Sequence, residues 1–381
     1  MQISRNYLAQ TSIILGLSGS LIGWSSSEVK PKTVPPIPVI ASADVSNGLG
    51  SLWRSGPADI DDGFAIGMAQ HDPGYDLKGV AATYGNSKVV EETEVAREIM
   101  GLLLGTSVPV FQGAVGKMGN PALGENQFGP LHPYSDRRCV NAGVQFMAQT
   151  LKANPGTVIL ATGPITDVAC LAYHFPESHA AIKEVPVIMG RGKDETFELN
   201  GVTGLTDFNY SRDPEAVKYL LEETDIKMAF MTFSLTSSGF VPRSEIDDLR
   251  ANPTPAAQFF YASSQQWLDQ WAGIFKEEGF HPWDQFAVYY PLNKGAYQCQ
   301  SDYGFKIISC EGLPKHDAEN NSCAGHGPGQ PNSLNAEPSQ LQFDQSFQSR
   351  PVTYCTAFTS DTTREAFMES LFKFISHEKP Y

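Results

Sequence analysis

Basic residues are scarce in this sequence, and they are scattered along it. Lysine and arginine together number 27 against 42 aspartates and glutamates, which gives a formal net charge of −15 over 381 residues. Nucleic acids and anionic membrane surfaces attract clusters of basic residues, and the chain has no such cluster. The composition therefore argues against nucleic-acid and membrane partners, and it favours a neutral small molecule or a cation.

Long apolar runs are also missing. The apolar stretch within residues 1–25 is too short, and too often interrupted by glycine and serine, to span a bilayer comfortably. One arginine precedes this stretch and small residues follow it, which is the arrangement of a secretory signal peptide. The alternative is the disordered tail of a cytosolic protein. We predict a signal peptide over 1–25, a proline-rich linker over 26–37, and a secreted, extracellular protein.

Cysteine is sparse, and none of the six cysteines lies in the Cys-x-x-Cys pair that is typical of zinc sites. Four of them lie in the last quarter of the chain, amid sequence rich in glycine, proline and asparagine: Cys299, Cys310, Cys323 and Cys355. Cross-links would stabilise such a segment and are typical of exported proteins, but three pairings of these four remain open. The sequon at Asn320 fits a glycosylated surface loop.

Short apolar runs alternate with helical patterns from residue 38 onward. VIASADV, LKGVAATYG and TVILATGP are typical of buried strands, whereas NAGVQFMAQTLKANPG and DPEAVKYLLEE have the spacing of amphipathic helices. The alternation predicts one α/β domain over 38–381, with an open, mostly parallel sheet flanked by helices. Residues 291–360 are polar and aperiodic, and we predict that they form a cysteine-rich irregular insertion, a C-terminal appendage stabilised by disulfides.

The stretch GPADIDDGFAIGMAQ, residues 56–70, brings Asp59, Asp61 and Asp62 to the entrance of a predicted helix. Only one of the three can cap the helix, and the partial charge of the helix dipole cannot offset three neighbouring negative charges. A hard divalent cation with oxygen ligands can offset them. The stretch therefore predicts a cation site.

Seven other residues that could contact a ligand end a predicted strand or begin a predicted helix. Ligands of open α/β sheets bind at the carboxyl ends of the strands, so these residues are candidates for one site. They are Asp44, Asn86, Thr166, Met189, Asp207, Asn209 and Asp284. Taken singly, aspartate and asparagine also serve as helix caps and turn residues, and for Asp213, which precedes Pro214, we accept that explanation.

Six motifs together resemble the nucleoside hydrolases, the calcium-dependent N-ribohydrolases, in order and in approximate spacing. They lie within residues 38–290 and read ADIDDGFAI, TYGN, ILATGPITDVACLA, VIMG, TDFNYSRDPEAVKYLL and WDQFAVYY. The resemblance implies the nucleoside hydrolase fold, with a Rossmann-like core. It also implies that a small-molecule nucleoside is the substrate, and that a water molecule bound to Ca²⁺ cleaves its N-glycosidic bond. A homo-oligomer is compatible with the sequence.

The resemblance also implies roles for the candidate residues. The Ca²⁺ ligands would be the carboxylates of Asp44, Asp62 and Asp284 and the backbone carbonyl of Thr166, and Asp44 would also serve as the general base. The substrate-binding residues would be Asp61 and Asn209 on the ribose hydroxyls, Asn86 and Met189 along the sugar pocket, and Asp207 near the 5′-hydroxyl, where the family has glutamate.

The family's opening motif, Asp-x-Asp-Pro-Gly-x-Asp-Asp, does not align with this chain without a gap. If residues 45–60 form an extra loop, Asp44 takes the place of the second aspartate and Ser42 replaces the first. A loop rich in glycine, proline and serine is easily inserted between a strand and a helix, which favours this alignment. The alternative is that Asp59 fills the position instead.

Trp283 stands before the last metal-binding aspartate, where the broad-specificity branch of the family has histidine. A tryptophan there resembles the purine-specific branch, in which aromatic rings sandwich the base. Stacking on Trp283 would favour purine ribosides. The alternatives are that Trp283 only packs in the core and that His281 is the acid for the leaving group.

Two other functions remain open. The extra loop and the cysteine-rich segment differ from the family pattern, so the same fold could act on another riboside or glycoside. The loss of one motif aspartate and the change from glutamate to Asp207 are also compatible with a non-catalytic, secreted protein that binds calcium and ribose.

Overall fold

The computed structural model describes seven stretches of the chain. They are residues 35–49, 56–103, 108–116, 139–193, 195–203, 205–309 and 339–376. The predicted signal peptide, most of the predicted linker, Cys310, Cys323 and the sequon at Asn320 lie outside the described residues.

The strands of the described residues are mostly short. In chain order they are β1 (Ile37–Ala43), β2 (Tyr75–Ala82), β3 (Val110–Gln112), β4 (Thr157–Ala161), β5 (Ile182–Ile188), β6 (Arg191–Gly192), β7 (Glu198–Leu199), β8 (Val202–Thr203), β9 (Met228–Met231), β10 (Val241–Pro242), β11 (Gly279–Phe280), β12 (Tyr297–Ser309), β13 (Ser339–Asp344) and β14 (Val352–Phe358).

The helices alternate with the strands through the first two thirds of the chain. In chain order they are α1 (Asp61–His71), α2 (Val89–Leu102), α3 (Ala142–Ala153), α4 (Thr166–His174), α5 (Phe208–Arg212), α6 (Pro214–Glu223), α7 (Phe233–Thr236), α8 (Arg243–Asp248), α9 (Pro255–Phe275), α10 (Trp283–Tyr289), α11 (Asp361–Ser370) and α12 (Lys373–Ser376). Short 3₁₀ turns occupy Pro176–Ala181, Leu249–Ala251 and Lys294–Ala296.

Ten of the described strands form one sheet, in the order β3-β2-β1-β4-β5-β9-β14-β12-β13-β6. Every neighbouring pair from β3 to β14 is parallel, whereas β12 runs antiparallel to both β14 and β13. The open, mostly parallel sheet predicted from the sequence is therefore confirmed. The predicted strands VIASADV, LKGVAATYG and TVILATGP correspond to β1, β2 and β4.

The core lies on both faces of this sheet, because successive side chains of a strand point to opposite faces. In β9, Phe230 packs in an apolar cluster with side chains of α3, α4 and α6, whereas its neighbour Met231 packs with α1, α2 and α9. In β1, Ile40 and Ala41 divide between the same two clusters. Helices on both faces explain why the parallel strands are continuous apolar runs.

The C-terminal segment differs from the irregular insertion predicted over 291–360. Its described parts contain β12, β13 and β14, and all three strands join the main sheet. Most side chains of β12 are exposed or only partly buried, so the apolar periodicity that identifies a strand is weak in this part of the sequence. The disulfide between Cys299 and Cys355 joins β12 to β14, which provides the covalent support that the sequence led us to expect.

A second disulfide, which the sequence analysis did not predict, joins Cys139 to Cys170. It links the residues before α3 to α4, and these helices pack against each other on one face of the sheet. None of the helices in the described part of the chain combines the length and the hydrophobicity that a transmembrane span needs.

Candidate active site

A cavity opens where the carboxyl ends of the central parallel strands meet the first turns of α1, α5 and α10. Its walls combine a polar group with a group of apolar and aromatic residues. The polar group consists of Asp44, Asp59, Asp61, Asp62, Asn86, Thr162, Thr206, Asp207, Asn209, Arg212, Thr236 and Asp284. The apolar and aromatic group includes Met189, Phe197, Phe233, Trp271, Phe275 and Trp283.

Five aspartates of the polar group form what we call the acidic cluster: Asp44, Asp59, Asp61, Asp62 and Asp284. Carboxylate oxygens of Asp61, Asp62 and Asp284 lie within 4.8 Å of one another, and all three residues are buried. The backbone N–H of Asp284 donates to Oδ2 of Asp61 at 3.2 Å, which ties the start of α10 to the start of α1. No side chain caps α1, so none of the three carboxylates of GPADIDD serves as its cap in the described structure.

Asn86 connects two members of the acidic cluster. Its backbone N–H donates to Oδ2 of Asp44 at 2.8 Å, and its Nδ2 donates to Oδ2 of Asp62 at 3.3 Å. The hydroxyl of Thr162 donates to the other oxygen of Asp62 at 2.9 Å. Oδ1 of Asp44 is buried and has no hydrogen-bond partner among the described residues. One carboxylate oxygen therefore lies buried with its acceptor capacity unused.

Burial and mutual repulsion make the charged form of the acidic cluster unfavourable. Burial raises the pKa of Asp44, Asp61 and Asp284 well above the ordinary value, and the neighbouring carboxylates raise it further. Burial also raises the pKa of Asp62 to about 6, although hydrogen bonds from Thr162 and neighbouring groups oppose the change. At neutral pH the cluster therefore needs protons or a cation.

The donor set fits a hard divalent cation. Oxygen atoms of carboxylates are the ligands that Ca²⁺ and Mg²⁺ prefer, and the cluster offers no sulfur or imidazole ligand among the described residues. The buried, unpartnered Oδ1 of Asp44 is the kind of atom that such a cation would satisfy. Glycines at 85 and 163 leave room for this carboxylate, because a methyl group at either position would overlap it.

Asp44 and Asp59 are the two candidates for the second aspartate of the family's opening motif, and both line the cavity. Asp44 follows β1 and shares Asn86 with Asp62, as expected if residues 45–60 form an extra loop. Asp59 is close enough to Asp61 that its charge raises the pKa of Asp61. The choice of Asp44 as a ligand and general base stays a prediction.

Asp207 and Asn209 lie at the start of α5. Asp207 caps this helix by accepting from the backbone N–H of Tyr210, and its other oxygen accepts from the N–H of Gly190 at 2.6 Å. Burial raises the pKa of Asp207, and the charge of Arg191 opposes the change. Nδ2 of Asn209 donates to the carbonyl of Thr162 at 2.6 Å, which holds Asn209 at the end of β4.

Thr166 lies away from the residues that line the cavity in the described structure. Its hydroxyl donates to Oδ2 of Asp213 at 2.6 Å, and Asp213 caps α6 as predicted. Thr162, four residues earlier, lines the cavity and donates to Asp62. The sequence analysis missed Thr162, although its position directly after β4 was a usable signal. The role of the Thr166 carbonyl as a metal ligand stays a prediction.

Trp283 belongs to a group of aromatic residues that line the cavity, which we call the aromatic wall: Phe197, Phe233, Trp271, Phe275 and Trp283. The sequence analysis named only Trp283 among them. Its ring centroid lies 5.3 Å from that of Trp271 in an edge-to-face arrangement, and Phe197 and Phe233 stack at 4.1 Å. The ring centroid of Phe275 lies 4.1 Å from that of Trp271. Trp271 was missed because the helical spacing of α9 is equally typical of a core-facing tryptophan.

His281 lies behind Trp283 and does not line the cavity in the described structure. The two rings stack with centroids 5.6 Å apart. Nδ1 of His281 is 2.6 Å from the carbonyl of Gly239, and Nε2 is 3.3 Å from a carboxylate oxygen of Glu277. These contacts favour Trp283 over His281 as the residue that meets a ligand.

Arg212 is a further cavity residue that the sequence analysis missed. Its guanidinium is buried and lies 4.1 Å from the ring centroid of Phe208. Burial lowers the pKa of Arg212 to about 10, and the charge of Asp44 opposes the change. Arg212 therefore brings a positive charge to the wall near the acidic cluster.

The family described as inosine-uridine preferring nucleoside hydrolase matches residues 56–332 of this chain. A curated relative, the pyrimidine-specific ribonucleoside hydrolase RihA of Salmonella arizonae, is 31% identical over 212 residues, which cover 51% of this chain. The match spans 64% of that relative, less than two thirds of its length.

Solved structures of nucleoside hydrolases share the fold of this chain. A plant nucleoside hydrolase aligns with a TM-score of 0.63 at 16% identity, over 89% of this chain and 100% of the other. A purine-preferring ribonucleoside hydrolase from Gardnerella vaginalis aligns with a TM-score of 0.64 at 18% identity, over 89% and 99% of the two chains. At such identities the likeness concerns the fold alone. Together with the family match, which covers most of the sequence, these findings show that the chain belongs to the inosine-uridine preferring nucleoside hydrolase family.

Proposed function

We propose that this chain is a secreted hydrolase that cleaves the N-glycosidic bond of ribonucleosides, uses Ca²⁺ as its cofactor and favours purine ribosides. The observation that carries the proposal is a single cavity that joins the acidic cluster to an aromatic wall. The acidic cluster suits a cation and the hydroxyls of a sugar, and the aromatic wall suits a planar base. The named curated relative is pyrimidine-specific, so the purine preference rests on this chain's own tryptophans.

The acidic cluster can stabilise the charge that develops when the bond to the base breaks. The ribose ring then becomes positively charged, and buried carboxylates near it lower the energy of that state. Asp44, Asp62 and Asp284, whose carboxylates all line the cavity, would hold the cation. When bound, Ca²⁺ would hold the ribose hydroxyls and lower the pKa of a ligated water molecule.

Asp44 is the candidate general base. Its buried Oδ1 would ligate the cation, and its Oδ2 accepts the N–H of Asn86, which orients the carboxylate. A carboxylate oxygen has about two acceptor sites, so Oδ2 would also accept a proton from an attacking water molecule. Asp61, Met189 and Asn209 would contact or enclose the ribose.

Trp283 would support departure of the base. It adjoins Asp284 in the sequence, so a base that stacks on its indole lies next to the acidic cluster. The larger ring system of a purine gains more from such a face than a pyrimidine does. An electron-rich indole face also makes the stacked purine easier to protonate.

The test is hydrolysis of inosine, guanosine, uridine and p-nitrophenyl riboside by the full chain, with Ca²⁺ and after removal of Ca²⁺ by a chelator. We expect the purine ribosides to be cleaved faster than uridine, and we expect chelation to abolish turnover until Ca²⁺ is restored. Binding of nucleosides without any turnover would favour the non-catalytic alternative. Turnover of p-nitrophenyl riboside alone would favour another riboside as the natural substrate.

Secretion has a separate test. Expression of the full chain in a secreting host should place the protein in the medium, with its N-terminus near residue 26 after removal of the leader. Retention of the intact leader inside the cell would contradict this part of the proposal.

A further inference from the structure

The first turn of α2 carries a buried glutamate whose contacts lead to the acidic cluster. The side chain of Glu92 is fully buried. Its Oε1 accepts from the backbone N–H of Ser87, and it also accepts from the hydroxyl of Ser46 at 3.3 Å. Ser87 directly follows Asn86, and Ser46 lies two residues after Asp44. One oxygen of Glu92 therefore joins two chain segments that each carry a residue of the cavity.

These two segments meet at Asp44. The backbone N–H of Asn86 donates to Oδ2 of Asp44 at 2.8 Å, and its Nδ2 donates to the backbone carbonyl of Asp44 at 3.3 Å. The same Nδ2 donates to Oδ2 of Asp62 at 3.3 Å. All three bonds require the two segments to lie at a set distance from each other. Because Glu92 accepts from both segments, its side chain fixes that distance.

The chain just after Asp44 is also held by α9. Nδ2 of Asn47 donates to the hydroxyl of Ser263, and the side chain of Asn47 is buried. Gly48 has a φ of +88°, and a methyl group there would overlap the backbone carbonyl of Ser263. Contacts with both α2 and α9 thus fix residues 46–48, so the backbone beyond Asp44 cannot easily yield when one contact changes.

The length of the side chain at position 92 is what these contacts need. The bond from Ser46 is already long for a hydroxyl donor, so an aspartate at 92, shorter by one methylene, would not reach both donors. A glutamine keeps the length and the acceptor oxygen and removes the charge. The two substitutions therefore separate the reach of Glu92 from its charge.

We propose that Glu92 is a positioning residue that places Asp44 at the cation through its hydrogen bonds with Ser46 and Ser87, and not through its charge. The inference rests on the proposed function for the identity of the cation. It gives α2 a part in cation binding, although α2 contributes no residue to the cavity wall in the described structure. Groups that orient a metal ligand in this way commonly determine the affinity for the metal.

The experiment measures Ca²⁺ affinity by calorimetric titration of the full chain as wild type, Glu92→Asp and Glu92→Gln. Loss of a group that orients a metal ligand costs about 10- to 100-fold in affinity, and we expect this loss in Glu92→Asp. Glu92→Gln should stay within about 3-fold of wild type, because it keeps the acceptor oxygen. A larger loss in Glu92→Gln than in Glu92→Asp, or equal affinities in the two variants, would overturn the inference.

The matched control is Glu184→Asp. Glu184 is also a buried glutamate, but its Oε2 accepts from Nζ of Lys294 at 2.6 Å and its side chain does not line the cavity in the described structure. We expect this control to keep the Ca²⁺ affinity of wild type. A loss as large as that of Glu92→Asp would show that shortening any buried glutamate weakens the site, and it would overturn the role of Glu92.

A structural measurement separates this inference from the proposed function. In crystals of the metal-free protein, we expect wild type and Glu92→Gln to keep the hydrogen bond between the N–H of Asn86 and Oδ2 of Asp44. In Glu92→Asp this contact should lengthen beyond about 3.2 Å. That result would support the inference even if no nucleoside were hydrolysed. An unmoved Asp44 in Glu92→Asp would overturn it even if Ca²⁺ were bound and nucleosides were hydrolysed.

Discussion

At the scale of single residues, Asp62 accepts hydrogen bonds on both of its carboxylate oxygens, and we predict that Asp62→Ala abolishes both Ca²⁺ binding and turnover. Removal of one carboxylate leaves the others to repel each other around a cation that they no longer enclose. Loss of a group that merely supports a metal ligand costs about 10- to 100-fold in affinity, so a ligand itself should cost at least about 100-fold. Calorimetric titration with Ca²⁺ and a nucleoside hydrolysis assay measure the two effects.

Asp167→Asn is the matched control for Asp62→Ala. Asp167 is equally buried, and burial raises its pKa too, but its oxygens accept from Asn141 and from the N–H of Ala114 outside the cavity. We expect this control to keep Ca²⁺ affinity. Unchanged activity of Asp62→Ala, with the metal still bound, would refute the assignment of Asp62.

Trp283 carries the prediction on base preference. If its indole stacks on the base, Trp283→Ala should lower kcat on inosine or guanosine by about 2- to 10-fold, the range expected for an aromatic pair. It should lower kcat less on p-nitrophenyl riboside, because p-nitrophenol departs without protonation. An equal fall on both substrates would mean that Trp283 only packs in the wall, and His281 would become the better candidate for the acid.

At the scale of elements, the start of α5 leads to a prediction about modification. Asn209 heads the sequon Asn-Tyr-Ser, yet its Nδ2 donates to the carbonyl of Thr162 and its side chain lines the cavity. A glycan on this nitrogen would break the hydrogen bond and fill the cavity. We therefore expect mass spectrometry of protein from a glycosylating host to find Asn209 unmodified. A glycan at Asn209 would refute the site.

The junction between β1 and α1 leads to a prediction about ligand geometry. In a crystal structure with bound Ca²⁺, we expect an oxygen of Asp44 at the usual Ca²⁺ ligand distance of about 2.3–2.6 Å. The reason is that Asp44 shares Asn86 with Asp62, although 17 residues separate the two aspartates in the sequence. A structure in which Asp59 holds the cation and Asp44 does not would show that the extra loop was aligned wrongly.

At the scale of the whole molecule, we expect the acidic cluster to make stability depend on both pH and Ca²⁺. The pKa of Asp62 in the folded chain is about 6, above its ordinary value of 3.8. Protonation therefore favours the folded chain, and this contribution is lost as the pH rises through 6. Asp44, Asp61 and Asp284 change stability in the same direction.

Ca²⁺ should reverse this loss, because a bound cation holds the carboxylates in their charged form. We predict that saturating Ca²⁺ raises the melting temperature more at pH 7 than at pH 5. A stabilisation of about 2.7 kcal/mol is expected at 100 times the dissociation constant. Thermal melting with Ca²⁺ and with chelator at each pH isolates this effect from other titrating groups. An equal Ca²⁺ effect at both pH values would contradict the prediction.

The sequence by itself determined the fold class, the family resemblance and most of the polar residues that line the cavity. A strand run such as TVILATGP and a helix pattern such as DPEAVKYLLEE can be identified from a few neighbouring residues. Polar residues that follow parallel strands lie near each other, because the carboxyl ends of these strands form one edge of the sheet. The α/β alternation and the cluster of Asp61, Asp62 and Asp284 could be predicted for that reason.

Only the tertiary structure decided which residues complete the cavity. Trp271 and Arg212 have no local pattern that separates them from core residues, because their roles depend on neighbours far away in the sequence. The same holds for the C-terminal strands, whose polar side chains hide their pairing with the main sheet. The local spacing of apolar residues specifies helices and strands. Contacts between segments that are distant in the sequence depend on how the whole chain packs, so they are known only from the tertiary structure.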